Sequence, residues 1–160
     1  MTEQGNRWLL TRPDPMNGVL SRELTALGDA AWVHPLLCIE PLAEAASRLI
    51  EEPFPWKHVI FTSQPAVEHS SALLARLIGN RGLLPTCYAV GDATHSKLAE
   101  YGIKARSGNE PGSESLLRAM LPLPPRQSVL LMTGEGGRTL IEDTLRAGNH
   151  LVTRCEVYRR

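Results

Sequence analysis

The chain has 160 residues, and its 17 Lys and Arg balance 17 Asp and Glu to a formal charge of zero. That length buries roughly two-thirds of the unfolded surface, enough for one ordinary domain or one domain plus part of another. Balanced charge without a basic run argues against a nucleic-acid binder, and no apolar stretch approaches the ~20 residues of a membrane span. The polar start, Met1-Thr2-Glu3-Gln4-Gly5-Asn6, lacks the apolar region of a signal peptide, so the expected location is the cytoplasm. In chain order, residues 7–11 are expected as a strand, broken by Pro13-Asp14-Pro15. Val19, Leu20, Leu24 and Leu27 then recur at helical spacing up to Gly28, a C-cap. Residues 30–34 read as a second strand, 35–42 as an extended connector, 43–50 as a helix and 51–56 as a Pro-rich loop.

From Lys57 the rhythm is regular. A strand at 58–61 precedes a helix at 65–78, with Pro65 at its start where a missing N–H costs nothing. A turn at 79–82 leads to a strand at 86–90 and a helix at 93–101 capped by Gly102. A short strand at 103–106 and a helix at 113–121, with Ser113 as N-cap, come next. A Pro-rich linker at 122–125, a strand at 128–132, a helix at 138–147 capped by Gly148 and a strand at 151–158 complete the pattern. Strands alternating with helices predict a parallel sheet covered on both faces. The first strand–helix–strand unit, 7–34, is too small to bury its own apolar face.

Three handovers from strand to helix carry hydroxyls or glycines: Phe61-Thr62-Ser63, Val90-Gly91-Asp92-Ala93-Thr94, and Met132-Thr133-Gly134-Glu135-Gly136-Gly137-Arg138. In a parallel sheet such turns share one edge. Each offers unpaired N–H groups and the positive end of a helix dipole, a setting for carboxylate or phosphate. The plainer alternative makes Thr62, Ser63 and Thr94 ordinary N-caps, worth about 1 kcal/mol each. Gly134-Glu135-Gly136-Gly137 can equally be a tight turn, and it lacks the Lys-Ser/Thr of a nucleotide-binding P-loop. Cys38, Cys87 and Cys155 read as buried inert thiols. His34, His58, His69, His95 and His150 show no ligand spacing, so no metal is expected. Trp8, Trp32 and Trp56 read as packing residues, Arg12 as a local partner for Asp14, and Glu68 and Glu135 as without acid–base roles.

A wider set of motifs resembles the uroporphyrinogen-III synthase family in order and spacing. It comprises Leu9-Leu10-Thr11-Arg12-Pro13, Pro35-Leu36-Leu37-Cys38-Ile39-Glu40-Pro41-Leu42, and Phe61-Thr62-Ser63 with Ala66-Val67. It continues with Ala89-Val90-Gly91 and Thr94, Ser113-Glu114-Ser115-Leu116-Leu117, Gly134-Glu135-Gly136-Gly137-Arg138, and Val157-Tyr158-Arg159. Gln64-Pro65 and Thr133 depart locally from the family pattern.

The resemblance implies an α/β fold of two flavodoxin-like parallel-sheet domains joined by a two-stranded linker. Residues 1–34 would be the first part of domain 1, 35–42 the outgoing linker, 43–154 a complete domain 2 and 155–160 the return strand. It also implies an activity, a lyase reaction of tetrapyrrole biosynthesis. Hydroxymethylbilane is cyclised with inversion of its terminal pyrrole and loss of water, giving uroporphyrinogen III, with no metal or organic cofactor. Porphobilinogen deaminase would act upstream. The substrate is a polyanion that closes unaided to the wrong isomer, so the protein must steer geometry. By resemblance, Thr62, Ser63 and Gln64 hold carboxylates at one helix terminus, and Gly91, Asp92, Ala93 and Thr94 at a second. Gly134, Glu135, Gly136 and Gly137 form a third, Ser113 an outer one, and Tyr158 assists the departing hydroxyl as hydrogen-bond donor or acid. The same mapping leaves 7–34 short of partners, so this segment is expected to pack against another copy or to be mobile relative to 57–154, with little or no turnover by these 160 residues alone. The alternative is a non-catalytic flavodoxin-like module for a phosphate- or carboxylate-bearing small molecule.

Overall fold

The computed structural model describes residues 5–14, 16–42, 56–79 and 85–160. The expected helix at 43–50, residues 51–55 of the loop and residues 80–82 of the turn lie outside them. Two compact units form, Met1–Glu40 with Arg160, and Pro41–Arg159.

In the first unit, β1 (Arg7–Leu10) pairs in parallel with β2 (Ala30–Val33), joined through helix α1 (Met16–Ala26). Gly28 turns the chain out of the helix at φ 86°, a left-handed conformation open to glycine. Leu9 lies opposite Trp32, so both share one sheet face, and they are 64% and 55% exposed. Leu10 points the other way and is buried. A parallel pair needs cover on both faces, and among the described residues one face is bare. Trp32 therefore stands exposed instead of packed; Trp8, on the Leu10 face, is also exposed and donates its indole N–H to Asp29 at 2.7 Å. Cys38 is likewise exposed, contrary to the expected burial. Arg12 engages through its carbonyl, which accepts from the Asn17 side-chain amide. No Arg12–Asp14 ion pair occurs among the described residues.

The second unit is built on a sheet that runs β3 (Glu40–Pro41), β8 (Leu151–Arg159), β7 (Ser128–Gly134), β4 (His58–Phe61), β5 (Thr86–Ala89), β6 (Ala105–Arg106). The contacts between β4 and β5, β4 and β7, β5 and β6, and β7 and β8 are all parallel. Counted in chain order from β4, the strands lie 3-2-1-4-5. This is the doubly wound parallel class expected from the sequence, although flavodoxin itself runs 2-1-3-4-5. The order reverses between β4 and β7, the place where such sheets open a crevice beyond their strand ends.

Helices α5 (Ser113–Met120) and α6 (Leu140–Ala147) cover one face, closing Leu116, Leu117, Met120, Ile141 and Leu145 over Ile60, Tyr88, Val129 and Leu131. The strand residues that alternate with these, Val59, Phe61, Leu130 and Met132, are fully buried on the other side. That near-continuous apolar run is the signature of a strand buried on both faces.

Several boundaries differ from the expected ones for identifiable reasons. The helix expected at 65–78 splits into α2 (Gln64–Glu68) and α3 (Ser71–Gly79). At the break, the buried Ser70 hydroxyl donates to the Ala66 carbonyl, a local bond that competes with helical pairing. Helix α4 is Asp92–Glu100, one residue earlier than expected, with Gly91 as N-cap. After it, Ile103 N donates to Leu98 O at 3.1 Å, which ties the start of the expected strand to the helix end and shortens β6. Ser113 is not a cap: Gly112, at φ 116°, takes that position. The hydroxyl that serves this turn belongs to Ser115, which accepts from Glu110 N at 3.0 Å. Finally, β8 runs on to Arg159, and Leu42 N donates to Val157 O at 2.8 Å.

Candidate functional site

The candidate site lies at the C-terminal ends of β4 and β7, where the strand order reverses. Thr62 follows β4, and its backbone N–H and hydroxyl both point at the Met132 carbonyl of β7, at 3.1 and 3.2 Å. The same hydroxyl lies 3.2 Å from Thr133 Oγ1. Two adjacent parallel strands are thus joined beyond their ends at the strand-order reversal.

Ser63 comes next, with extended backbone at φ −163° and ψ 163°. Its Oγ accepts from Ala66 N at 3.2 Å and is therefore the N-cap of α2. It also lies 3.0 Å from the Tyr158 hydroxyl on β8. An oxygen already accepting from a backbone N–H retains its own proton to give. Ser63 and Tyr158 can exchange donor and acceptor roles, which is what a group relaying a proton requires.

Tyr158 reaches this position through a register shift. Thr133 pairs with Glu156 but Gly134 pairs with Tyr158, so one residue of β8 is passed over. Such a bulge re-aims a side chain next to a site. The Tyr158 ring is 2% exposed and packs over Gly134, where an added Cβ would sit 2.5 Å from its Cζ. The His69 ring lies 6.2 Å away, centroid to centroid.

The second turn follows β5. Val90 N donates to Phe61 O at 3.0 Å, which lays this turn against the end of β4. Gly91 adopts φ 88° with open space at its missing Cβ. The helix it starts pairs His95 N with Gly91 O at 3.1 Å, which leaves the N–H groups of Asp92, Ala93 and Thr94 without an intrahelical acceptor. The Thr94 side chain is buried, and its hydroxyl donates to Val90 O at 3.3 Å inside the turn. It is not the N-cap that its place in the sequence suggests. Asp92 and Ala93 are exposed, and as a carboxylate Asp92 can meet an anion only through its N–H.

The glycine turn is more committed than the sequence suggests. Glu135 N donates to Tyr158 O at 2.8 Å, and Gly137 N to Gly134 O at 3.1 Å. Gly136, at φ 65° and facing open space, carries the remaining N–H of this turn. Ser113 stands apart, at the start of the helix after β6, two strands from β4. Gln64 is half-buried in the first turn of α2. Glu68 pairs with Lys97 at 3.5 Å, joining α2 to α4.

Two residues that matter here carry little site signal in the sequence. Thr133, there only a departure from a pattern, bonds to Thr62 and is 4% exposed. Arg154 sits behind the glycine turn, reaching Gly137 O at 3.2 Å, Glu142 at 3.3 Å and Glu156 at 3.0 Å. The Glu142–Arg146 pair at 2.7 Å has a readable i,i+4 spacing. The Arg154 bonds to Glu142 and Gly137 cross between elements and leave no local pattern.

Among the described residues, no helix is long and apolar enough to cross a membrane, and no three His, Cys, Asp or Glu converge as metal ligands do. The family model described as Uroporphyrinogen-III synthase HemD matches residues 18–160. Uroporphyrinogen-III synthases of Salmonella typhimurium and Escherichia coli are each 32% identical over 163 residues, covering 95% of this chain and 64% of theirs. That of Proteus mirabilis is 27% identical over 157 residues, covering 95% of this chain and 79% of its own. A crystal structure of a mutant uroporphyrinogen III synthase from the extreme thermophile Thermus thermophilus superposes with a TM-score of 0.67 at 16% identity, over 97% of this chain and 62% of that one. The Helicobacter pylori enzyme gives 0.52 at 19%, over 98% and 61%. At those identities the structures speak for the fold. The chain spans 64% of the length of its Salmonella and Escherichia relatives. On the family match over residues 18–160, the chain belongs to the uroporphyrinogen-III synthase family.

Proposed function

We propose that this chain acts in the cyclisation of hydroxymethylbilane to uroporphyrinogen III, with inversion of the terminal pyrrole and loss of water. The observation that carries the reading is the gathering of Thr62, Ser63, Gly134 and Tyr158 where the strand order reverses. Family membership points to the reaction, and the hydroxyl cluster at these strand ends supports the reading.

The substrate's acetate and propionate groups need donors, and the N–H groups of Asp92, Ala93 and Thr94, which have no intrahelical acceptor, and of Gly136 are the candidates. Gln64 adds side-chain amide donors, Thr62 and Ser63 turn their hydroxyls to the ligand by exchanging their Met132 and Tyr158 partners, the glycine turn Gly134–Gly137 frames them, and Ser113 serves a more distant carboxylate. Fixing several carboxylates fixes the relative orientation of the chain ends, which decides the isomer formed. Tyr158 donates its proton to the hydroxyl that departs as water, Ser63 at 3.0 Å hydrogen-bonds the resulting phenolate, and the proton released from the pyrrole carbon on ring closure restores the phenol. No metal or organic cofactor enters. Porphobilinogen deaminase would supply the substrate in the cytoplasm. The Leu9–Trp32 face is a surface through which copies of the chain would associate.

The test couples the chain to porphobilinogen deaminase and resolves the product isomers. Isomer III above the spontaneous background, reduced by Tyr158→Phe, supports the reading. A parallel melting assay should show stabilisation by uroporphyrin, an octacarboxylate, but not by FMN or ATP. That stabilisation should fade from low to high salt, because the ligand is polyanionic. Isomer I alone, together with no stabilisation by uroporphyrin, would overturn it.

A further inference from the structure

We propose that Arg154 is a positioning residue of this site: its guanidinium clamps the glycine turn so that the Gly136 N–H faces a ligand carboxylate. The inference rests on the carboxylate-binding reading above, but its physical basis is separate. Arg154 lies on β8, four residues before Tyr158, and its side chain is largely buried. Its three nitrogens go to three different places. Nε meets Glu156 at 3.0 Å on its own strand, Nη1 meets Glu142 of α6 at 3.3 Å, and Nη2 donates to the Gly137 carbonyl at 3.2 Å.

Gly137 links the clamp to the turn. It closes the turn by donating to Gly134 O, while its own carbonyl is held from behind by Arg154. Glu135 N, at the other corner, is tied to Tyr158 O. With both corners fixed, the intervening Gly136 loses much of its freedom to reorient its N–H. A turn rich in glycine would otherwise sample many conformations, and ordering it at binding would weaken the ligand by that entropy. Arginine suits the task because its planar fork reaches three acceptors at once. An ammonium is a single point charge and cannot span them. Glu142 is 7% exposed and is shared with Arg146 at 2.7 Å, which anchors the clamp to the helix that follows the turn.

The test uses the full chain and four proteins: wild type, Arg154→Gln, Arg154→Lys and Glu156→Gln. Two quantities are read, amide hydrogen exchange at Gly136 and Gly137 and the dissociation constant for uroporphyrin. Urea midpoints monitor folding. Arg154→Gln and Arg154→Lys should each speed turn exchange by about tenfold and weaken uroporphyrin about tenfold, the scale of one lost hydrogen bond to a charged group. Exchange at Val129, Leu130 and Leu131 should not change. Glu156→Gln removes a partner of the guanidinium without touching Gly137, so it should lower the urea midpoint and leave both site readouts alone. If Arg154→Lys behaves as wild type, charge alone suffices and the clamp is wrong. If Glu156→Gln reproduces the Arg154→Gln changes, the role is general stability and the proposal falls. Wild type that fails to bind uroporphyrin would count against the carboxylate reading, whereas the exchange data would still judge the clamp.

Discussion

Gly134→Ala is the most revealing single substitution in the site. Its new Cβ would stand 2.5 Å from Cζ of Tyr158, 2.8 Å from Cε2 and 2.8 Å from the hydroxyl oxygen. The ring cannot yield outward without leaving a position in which it is 2% exposed. Overpacking of this kind costs about 1–3 kcal/mol. Moving the ring also breaks the Ser63–Tyr158 bond, adding about 1 kcal/mol. The sum, about 2–4 kcal/mol, would lower the urea midpoint by about 1–2 M at an m-value of ~2 kcal/mol/M. The assay is urea denaturation of wild type, Gly134→Ala, Tyr158→Ala and the double variant. If the ring is the obstacle, Gly134→Ala should cost less than about 0.5 kcal/mol in the Tyr158→Ala background, because the clash and its penalty vanish together. A Gly134→Ala penalty equal in both backgrounds, or below about 0.5 kcal/mol in wild type, would refute the packing argument and with it the placement of Tyr158.

Other outcomes follow from single features. Thr94→Ser should keep uroporphyrin affinity and Thr94→Ala should weaken it, since the hydroxyl braces Val90 O at 3.3 Å behind the second turn; unchanged affinity with a lower melting temperature would leave only a structural role. Burial holds the His58 imidazole below its ordinary pKa of 6.5, with His150, Lys57 and Arg106 pushing the same way against a Gln127 hydrogen bond. The unfolded chain therefore binds the proton more readily, so stability is full above about pH 6.5 and declines below it; His58→Gln should flatten that slope, and an unaltered slope would contradict it. Burial raises the Cys87 thiol to about 11, and burial with Glu156 does the same for Cys155, whereas Cys38 is exposed. Disulfide-exchange reagents should thus label Cys38 alone in the native protein; rapid labelling of all three would mean the strand cores open readily.

The parallel sheet is legible in the sequence because its strands are apolar on both faces and helices α2, α4 and α5 begin at serine or glycine caps. Thr62, Ser63 and the glycine turn are legible as a group for the same reason, since they occupy strand-to-helix handovers. Periodicity cannot show what joins them. The contact between Ser63 and Tyr158 spans 95 positions, and it depends on a bulge that skips one residue of β8. Thr94 reads as a cap because it is a hydroxyl near a helix start, but Gly91 moves that start back and the side chain turns inward. The split at Ser70 is hidden because Ala66, Val67, Leu73, Leu74 and Leu77 keep their helical spacing across it. Trp8 and Trp32 mislead for a different reason: indoles normally signal a core, and here both stand exposed on a two-stranded unit too small to build one.

The central claim is that tetrapyrrole carboxylates bind at the strand-order reversal between β4 and β7. Amide chemical shifts of the nitrogen-labelled chain, followed through a uroporphyrin titration, test it most directly. The account predicts saturable shifts at Ser63, Ala66, Ala93, Thr94, Glu135 and Gly136, with none at Gln127, Leu151 or Thr86 on the opposite end of the same strands. Shifts confined to that opposite end, or no saturable shifts anywhere, would contradict it.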